Sequence, residues 1–241
     1  MATMKLLYQT HSPYARKVLV AAYEMGLHGS LTVIHHETSP TRRNEDVFAL
    51  NPLGKVPVLI CDDSTVLFDS NVICEYLDGL HAGPALIPSQ PQLRFRALKM
   101  QALAQGIADA GITARWESER RPAQLRWPSM HDGQVEKIAA ACDFLERELG
   151  RPKVDGGGPT DGATAADATA ADATAVGATA GAVDAGRPDI GDIALVTALS
   201  WVEFRRVYDF VRGRPRLAQW YAALRARPSM LATRLEGQTH D

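Results

Sequence analysis

Strand-like patterning stops near residue 80 of this chain and does not return. Lys5 to Tyr8 is a short apolar run. Ser12-Pro13 then offers an N-cap and a proline at the first helical position, where a missing N–H removes no helical bond. A helix carrying Val18, Leu19, Ala22 and Tyr23 at helical spacing runs from there to Gly26, which suits the left-handed conformation of a helix end. Leu31 to His35 alternates as a strand does. Val56 to Ile60 and Val66 to Phe68 flank the turn Asp62-Asp63-Ser64, and Ser70 opens a helix to about Leu80. The order is a βαβ unit, then a hairpin, then a helix.

From Pro91 onward only helical stripes remain. One carries Leu93, Ala97, Met100, Leu103, Ala104 and Ile107; another carries Val135, Ile138, Ala139, Cys142, Leu145 and Leu149. Asp189 begins a third, strongly apolar helix, with Asp192 placed where a second carboxylate favours the exposed amides of the first turn. Leu217, Trp220, Tyr221 and Leu224 form a last amphipathic helix ahead of Arg227-Pro228. The expected fold class is α/β plus all-α: a small α/β domain over 1–80, a linker over 81–90 and a helical bundle over 91–241. Trp201, Phe204, Tyr208 and Trp220 are read as core aromatics.

The bundle is interrupted over 153–186, where the phrases ATAAD, ATAAD, ATAVG and ATAGA follow one another. A repeat of five matches neither helical nor strand burial, and three valines are too little apolar surface to offset the entropy of ordering. This insert is expected to be a disordered linker, dispensable for function. It carries one lysine and five aspartates, so the remaining chain has 25 basic against 23 acidic side chains. That near-balance excludes a polyanion-binding surface, and nucleic acid is not an expected ligand. No apolar run is long enough to span a membrane, and the N-terminus lacks the pattern of a secretory signal, so a cytoplasmic protein without a membrane association is expected. Cys61, Cys74 and Cys142 form no CxxC pair and read as reduced core thiols, with neither a disulfide framework nor a metal site.

Three segments carry chemistry. In Asn51-Pro52-Leu53-Gly54-Lys55-Val56-Pro57, a proline at a strand start removes a ladder donor; if the Val56-Pro57 bond is cis, the Val56 amide and carbonyl can pair with a peptide-like ligand. The plain alternative is an edge strand entered through a turn. In Phe68-Asp69-Ser70-Asn71, the free amides and serine hydroxyl of a helix start suit a carboxylate and Asp69 suits an ammonium, so the pair fits an amino-acid head group; the alternative is a simple N-cap. In Thr10-His11-Ser12-Pro13-Tyr14, the Ser12 hydroxyl at a helix mouth can donate to a bound thiolate, with the helix dipole adding to the effect; the alternative is an ordinary Ser-Pro helix opening.

In this order and spacing, SPYARKV, NPLGKVPVL and LFDSNVICEYL resemble the glutathione-binding domain of the cytosolic glutathione transferases, in the style of bacterial members with SPY or SPF openings. GDIALVTALSW resembles the buried capping segment of that family's sixth helix, and RPRLAQWYAALRARPSM its C-terminal helix. The resemblance implies a thioredoxin-like domain followed by a helical one. It implies Val56 as main-chain partner of the cysteinyl unit of glutathione, Pro57 as a cis-proline, Asp69 and Ser70 at the γ-glutamyl end and Lys55 at the glycine carboxylate. Ser12 falls where members keep a catalytic serine or cysteine, with Tyr8 the alternative donor; Thr10 and His11 are near enough to contribute.

The same resemblance puts an electrophile pocket between the domains, with Tyr14, Ile107, Gly111, Arg115 and Trp116 as candidates. It also implies a homodimer. The function implied is conjugation of glutathione, a cosubstrate, to a hydrophobic electrophilic small molecule in detoxification, with no metal required. Two alternatives stand beside it: glutathione-dependent reduction of peroxides or disulfides, and a non-catalytic member of the fold that binds a protein partner.

Overall fold

The structure, a computed structural model, describes residues 3–150 and 187–237. The Ala/Thr/Asp insert expected to be a linker lies outside the described residues. The first layer is a four-stranded sheet of β1 (Met4–Tyr8), β2 (Leu31–His35), β3 (Val58–Ile60) and β4 (Val66–Leu67), in the order β2-β1-β3-β4. β1 runs parallel to β2 and antiparallel to β3, and β4 is antiparallel to β3. The connecting helices are α1 (Pro13–Glu24), α2 (Glu45–Leu50) and α3 (Ser70–Asp78). α1 is capped by Ser12 and is followed by Gly26 at a φ of 75°, as its sequence requires. α2 escaped the pattern reading because it has six residues and a single buried one, Val47; Asn44 caps it through Asp46 N and Val47 N.

The helical layer comprises α4 (Pro91–Arg115), α5 (Pro128–Glu148), α6 (Ile190–Phe204), α7 (Pro215–Arg225) and the one-turn α8 (Pro228–Ala232). α6 is buried on nearly every side and packs chiefly on α4 and α1. It approaches α4 so closely that a Cβ on Gly191 would lie 2.7 Å from Ala97 O, and one on Gly111 of α4 would lie 2.9 Å from the Trp201 ring. The segment between α3 and α4 is held to both layers: the Asp78 carboxylate accepts from Leu86 N (2.7 Å) and Ile87 N (2.9 Å), and Leu86 O accepts from Ile190 N (2.9 Å). One apolar core therefore runs from Leu6 and Leu59 of the sheet through Ile73 to Ile107, Leu199 and Trp201. Trp201 and Trp220 are buried as expected of core aromatics, whereas Phe204 and Tyr208 are half-buried at its margin.

Asp189 and Asp192 cap α6 reciprocally: Asp192 N donates to Asp189 Oδ1 (3.0 Å) and Asp189 N to Asp192 Oδ2 (3.2 Å). Burial, reinforced by the neighbouring Asp189 charge, pushes the Asp192 carboxyl up from the ordinary aspartate value of 3.8 to about 6. The folded chain thus holds this proton more tightly than the unfolded chain. The resulting stability is complete in acid and is lost as pH rises from about 4 through 6, an effect of about 3 kcal/mol. Asp192→Asn keeps an acceptor in the cap and should remove most of that pH dependence. The check is the difference between wild-type and variant thermal midpoints across this range; parallel curves would locate the titrating group elsewhere.

Candidate functional site

The strand registers gather the three segments at one end of the sheet. Leu7 pairs with Val58, so Tyr8, at the end of β1, falls beside Pro57; Leu59 pairs with Leu67, so the Phe68-Asp69-Ser70 corner falls on the other flank of the same turn. Both α1 and α3 begin there, and their N-termini bring two sets of exposed amides and two positive dipole ends to one edge.

The central loop is stapled by Asn51, whose Nδ2 donates to Lys55 O (2.9 Å) and whose Oδ1 accepts from Leu53 N (3.0 Å). Gly54 stands at a φ of 62° with the Phe48 ring filling the place a side chain would take, 2.1 Å from an ideal Cβ. Thr38 Oγ1 donates to Gly54 O (2.8 Å), tying the loop to the end of β2. The Val56–Pro57 peptide is cis, Val56 is buried and Lys55 is exposed.

Ser12 is half-buried, and its Oγ accepts from Ala15 N (3.2 Å). Capping uses a lone pair and leaves the hydroxyl proton available to another acceptor. Tyr8 is half-buried as well; burial raises its phenol above the ordinary value while the Arg16 charge pulls it back, so it stays a protonated donor at neutral pH. Asp69 caps α3, accepting from Asn71 N (2.9 Å), and its side chain is exposed. Ser70 is buried, and its Oγ has no hydrogen-bond partner among the described residues. A buried hydroxyl left unpaired costs about 1–3 kcal/mol, and a ligand acceptor at this corner would relieve it.

Sequence reading missed two neighbours of this edge. Arg16, buried, donates from Nε to Thr233 O (2.6 Å), from Nη2 to Met230 O (3.1 Å) and from Nη1 to Ser200 Oγ, joining the helix that carries Ser12 to α6 and α8. Lys17, also buried, donates to Asn71 Oδ1 (2.6 Å) across the gap from α1 to α3. SPYARKV shows two cations among apolar residues, a pattern that does not by itself separate an interior cation from a surface one.

His11 is no ordinary loop residue. It is buried at a φ of 69°, its carbonyl accepts from Trp201 Nε1 (2.8 Å), its ring lies 4.8 Å from that of Phe204 and its Nε2 bonds with Glu236 O. It fastens the Ser12 loop to α6. Thr10 Oγ1 pairs with His35 Nδ1 at 3.2 Å on the exposed side.

The five candidates for the electrophile pocket lie on α1, on α4 and just beyond its end. Ile107 and Gly111 are buried in the α4–α6 contact, Gly111 directly beneath Trp201, because a helix as apolar as α6 claims that face of α4. Arg115 Nε pairs with Glu119 Oε2 (3.1 Å), and Trp116 is half-buried with the Arg120 guanidinium 5.9 Å from its ring. Tyr14 donates to Asp109 and lines a small cleft between α1, α4 and α6 with Lys17, Gln105 and Thr197 among its neighbours. That cleft has room for about one water molecule.

Cys61, Cys74 and Cys142 are buried and free. Burial pushes the Cys74 thiol up to about 11 and the Cys142 thiol up to about 12, which keeps both neutral. Among the described residues no helix is long and apolar enough to cross a membrane, and no group of three or more His, Cys, Asp or Glu is placed to hold a metal ion.

Comparison with known proteins agrees with this architecture along nearly the whole chain. Residues 11–80 match the family model for the glutathione S-transferase N-terminal domain and residues 109–223 that for the C-terminal domain. The uncharacterized GST-like protein YibF of Escherichia coli (strain K12) is 38% identical over 231 residues, covering 95% of this chain and 98% of that protein. A stringent starvation protein A homolog from Haemophilus ducreyi is 33% identical over 155 residues, 61% of this chain and 69% of its own length. The crystal structure of a glutathione transferase family member from Pseudomonas fluorescens Pf-5, with bound glutathione, superimposes with a TM-score of 0.79 at 32% identity, covering 98% of this chain and all of the other. With both domains matched in order and the sheet edge built from the same three segments that carry the resemblance, this chain belongs to the glutathione S-transferase family.

Proposed function

We propose that the chain binds glutathione along this sheet edge and conjugates it to electrophilic small molecules. The observation that carries the reading is the buried, unpartnered Ser70 hydroxyl at the start of α3, on the same edge as the mouth of α1. Asp69 and Ser70 hold the γ-glutamyl ammonium and carboxylate, the Val56 main chain pairs with the cysteinyl unit ahead of Pro57, and Lys55 reaches the glycine carboxylate. The bound glutathione of the Pseudomonas fluorescens relative supports this assignment.

In the mechanism, Ser12 donates its hydroxyl proton in a hydrogen bond to the glutathione sulfur, and the α1 dipole adds positive potential there. Both favour the thiolate over the thiol. The thiol proton passes to solvent, and the thiolate lone pair forms a sulfur–carbon bond to the electrophile, whose leaving group departs with its electron pair or, in addition to an activated double bond, whose carbon beside the one attacked takes up a proton from water. Ser12 is never the nucleophile, so no general base behind it is required. Serine rather than cysteine at this position supports conjugation over thiol transfer, which proceeds through a mixed disulfide.

We place the activity in the cytoplasm, with detoxification as its role, and in a homodimer. Exposed Val72 of α3 and Phe95 of α4, flanked by the Glu75–Arg94 pair (2.8 Å), support an apolar contact on that face.

The test is calorimetric titration of reduced glutathione alongside a conjugation assay with an activated aryl halide. Wild type should give both heat and turnover. Ser70→Ala should weaken glutathione binding about 10-fold, the loss of one hydrogen bond to a charged group. Unchanged affinity would remove Ser70 from the head-group site. Binding without conjugation, together with peroxide turnover, would favour the reductase reading, and a folded protein with no heat would favour a non-catalytic interaction module.

A further inference from the structure

Lysine is almost never buried without a partner that repays its desolvation. Lys17 is only 4% exposed, yet among the hydrogen bonds described its ammonium makes one, to the neutral amide oxygen of Asn71. An ammonium has three N–H donors. The anionic side chain within its electrostatic reach is Asp69, which is exposed and already occupied with the Asn71 amide; the Cys74 thiol nearby is neutral. Lys17, Asn71 and Asp69 thus form a polar chain from α1 to the first turn of α3, and Ser70, whose hydroxyl has no partner among the described residues, stands between Asp69 and Asn71 in that turn. A capped helix start needs none of this. A receptor for a carboxylate does, because a positive charge shielded from water behind the helix start strengthens the same end of the dipole that attracts an anion.

We propose that Lys17 is a positioning residue of the head-group site: it anchors Asn71 and the first turn of α3, and its concealed charge makes that turn selective for ligands presenting a free α-carboxylate. The proposal rests on the reading of this corner as the seat of the γ-glutamyl group. Lys17 contacts the ligand only through the turn that it supports.

The experiment compares two ligands on two full-length proteins by calorimetry: glutathione and its analogue with the γ-glutamyl α-carboxylate converted to a carboxamide, on wild type and on Lys17→Met. Wild type should bind the carboxylate at least about 10-fold more tightly than the carboxamide. Lys17→Met should lose about 10-fold or more in glutathione affinity and prefer the carboxylate by no more than about 2-fold. Methionine keeps the apolar stem and removes the desolvation cost, while Asn71 Oδ1 loses its donor, so the two effects on the thermal midpoint oppose each other. A role confined to structure would weaken both ligands alike and leave the carboxylate preference unchanged. An unchanged carboxylate preference in Lys17→Met would overturn the proposal while leaving glutathione binding intact. Equal affinity of wild type for the two ligands would overturn it without reference to any variant. A wild-type protein giving no heat with glutathione would remove the head-group site itself, and this role with it.

Discussion

Ser12→Ala should leave glutathione bound but mostly protonated. A hydrogen bond from a neutral donor to an ionised group is worth about 1.5–3 kcal/mol, which corresponds to a rise of about one to two units in the apparent pKa of the bound thiol. Conjugation at neutral pH should then fall about 10- to 100-fold, and the deficit should close as pH rises past the new pKa. The pH profile of kcat/KM and the ultraviolet absorbance of bound thiolate both read the shift. Because Ser12 also caps α1 through Ala15 N, the variant should lose about 1 kcal/mol of stability, a change that is flat with pH and so separable from the chemical one. An unchanged profile would pass the donor role to Tyr8, whose phenol burial keeps protonated.

Arg16→Ala should produce the largest loss of stability, about 3–5 kcal/mol out of the 5–15 kcal/mol typical of a folded domain. The guanidinium satisfies Thr233 O, Met230 O and Ser200 Oγ at the junction of α1, α6 and α8, and all three acceptors would be left buried beside a new cavity. Arg16→Lys should recover only part of this, because a single ammonium cannot span acceptors that the planar fork reaches separately. Urea unfolding midpoints measure both. A loss below about 1 kcal/mol for Arg16→Ala would mean that water replaces these contacts and that the junction is looser than its geometry. Glutathione affinity should fall along with stability, since Arg16 lies one turn beyond Ser12 on the same helix.

Most of the secondary structure was legible because its determinants are local. The Ser12-Pro13 opening, Gly26 beyond α1 and the Asp189–Asp192 pair each act within four residues, and the apolar run of β1 and the alternation read in Leu31 to His35 need no partner to be recognised. α2 and α8 went unseen for the same reason: helices of six and five residues are too short to display a period. In the candidate site, Ser12, Val56, Pro57, Asp69 and Ser70 were nameable because cap positions and a strand-initial proline mark themselves. Their convergence on one sheet edge follows from strand order and register, which no single segment carries.

By itself, then, the sequence determined the elements, their order and the chemistry offered at each helix mouth, all of which rest on interactions between near neighbours along the chain. Only the tertiary structure decided that Arg16 and Lys17 are interior cations, that Gly111 is a notch for Trp201 and that Ile107 belongs to the core. The physical reason is that a helix shows from its own sequence which face is apolar but not how many neighbours enclose it. α1 is covered by α3 on one side and by α6 and α8 on others, and that enclosure turns two apparently surface charges into the fixed electrostatics of the site.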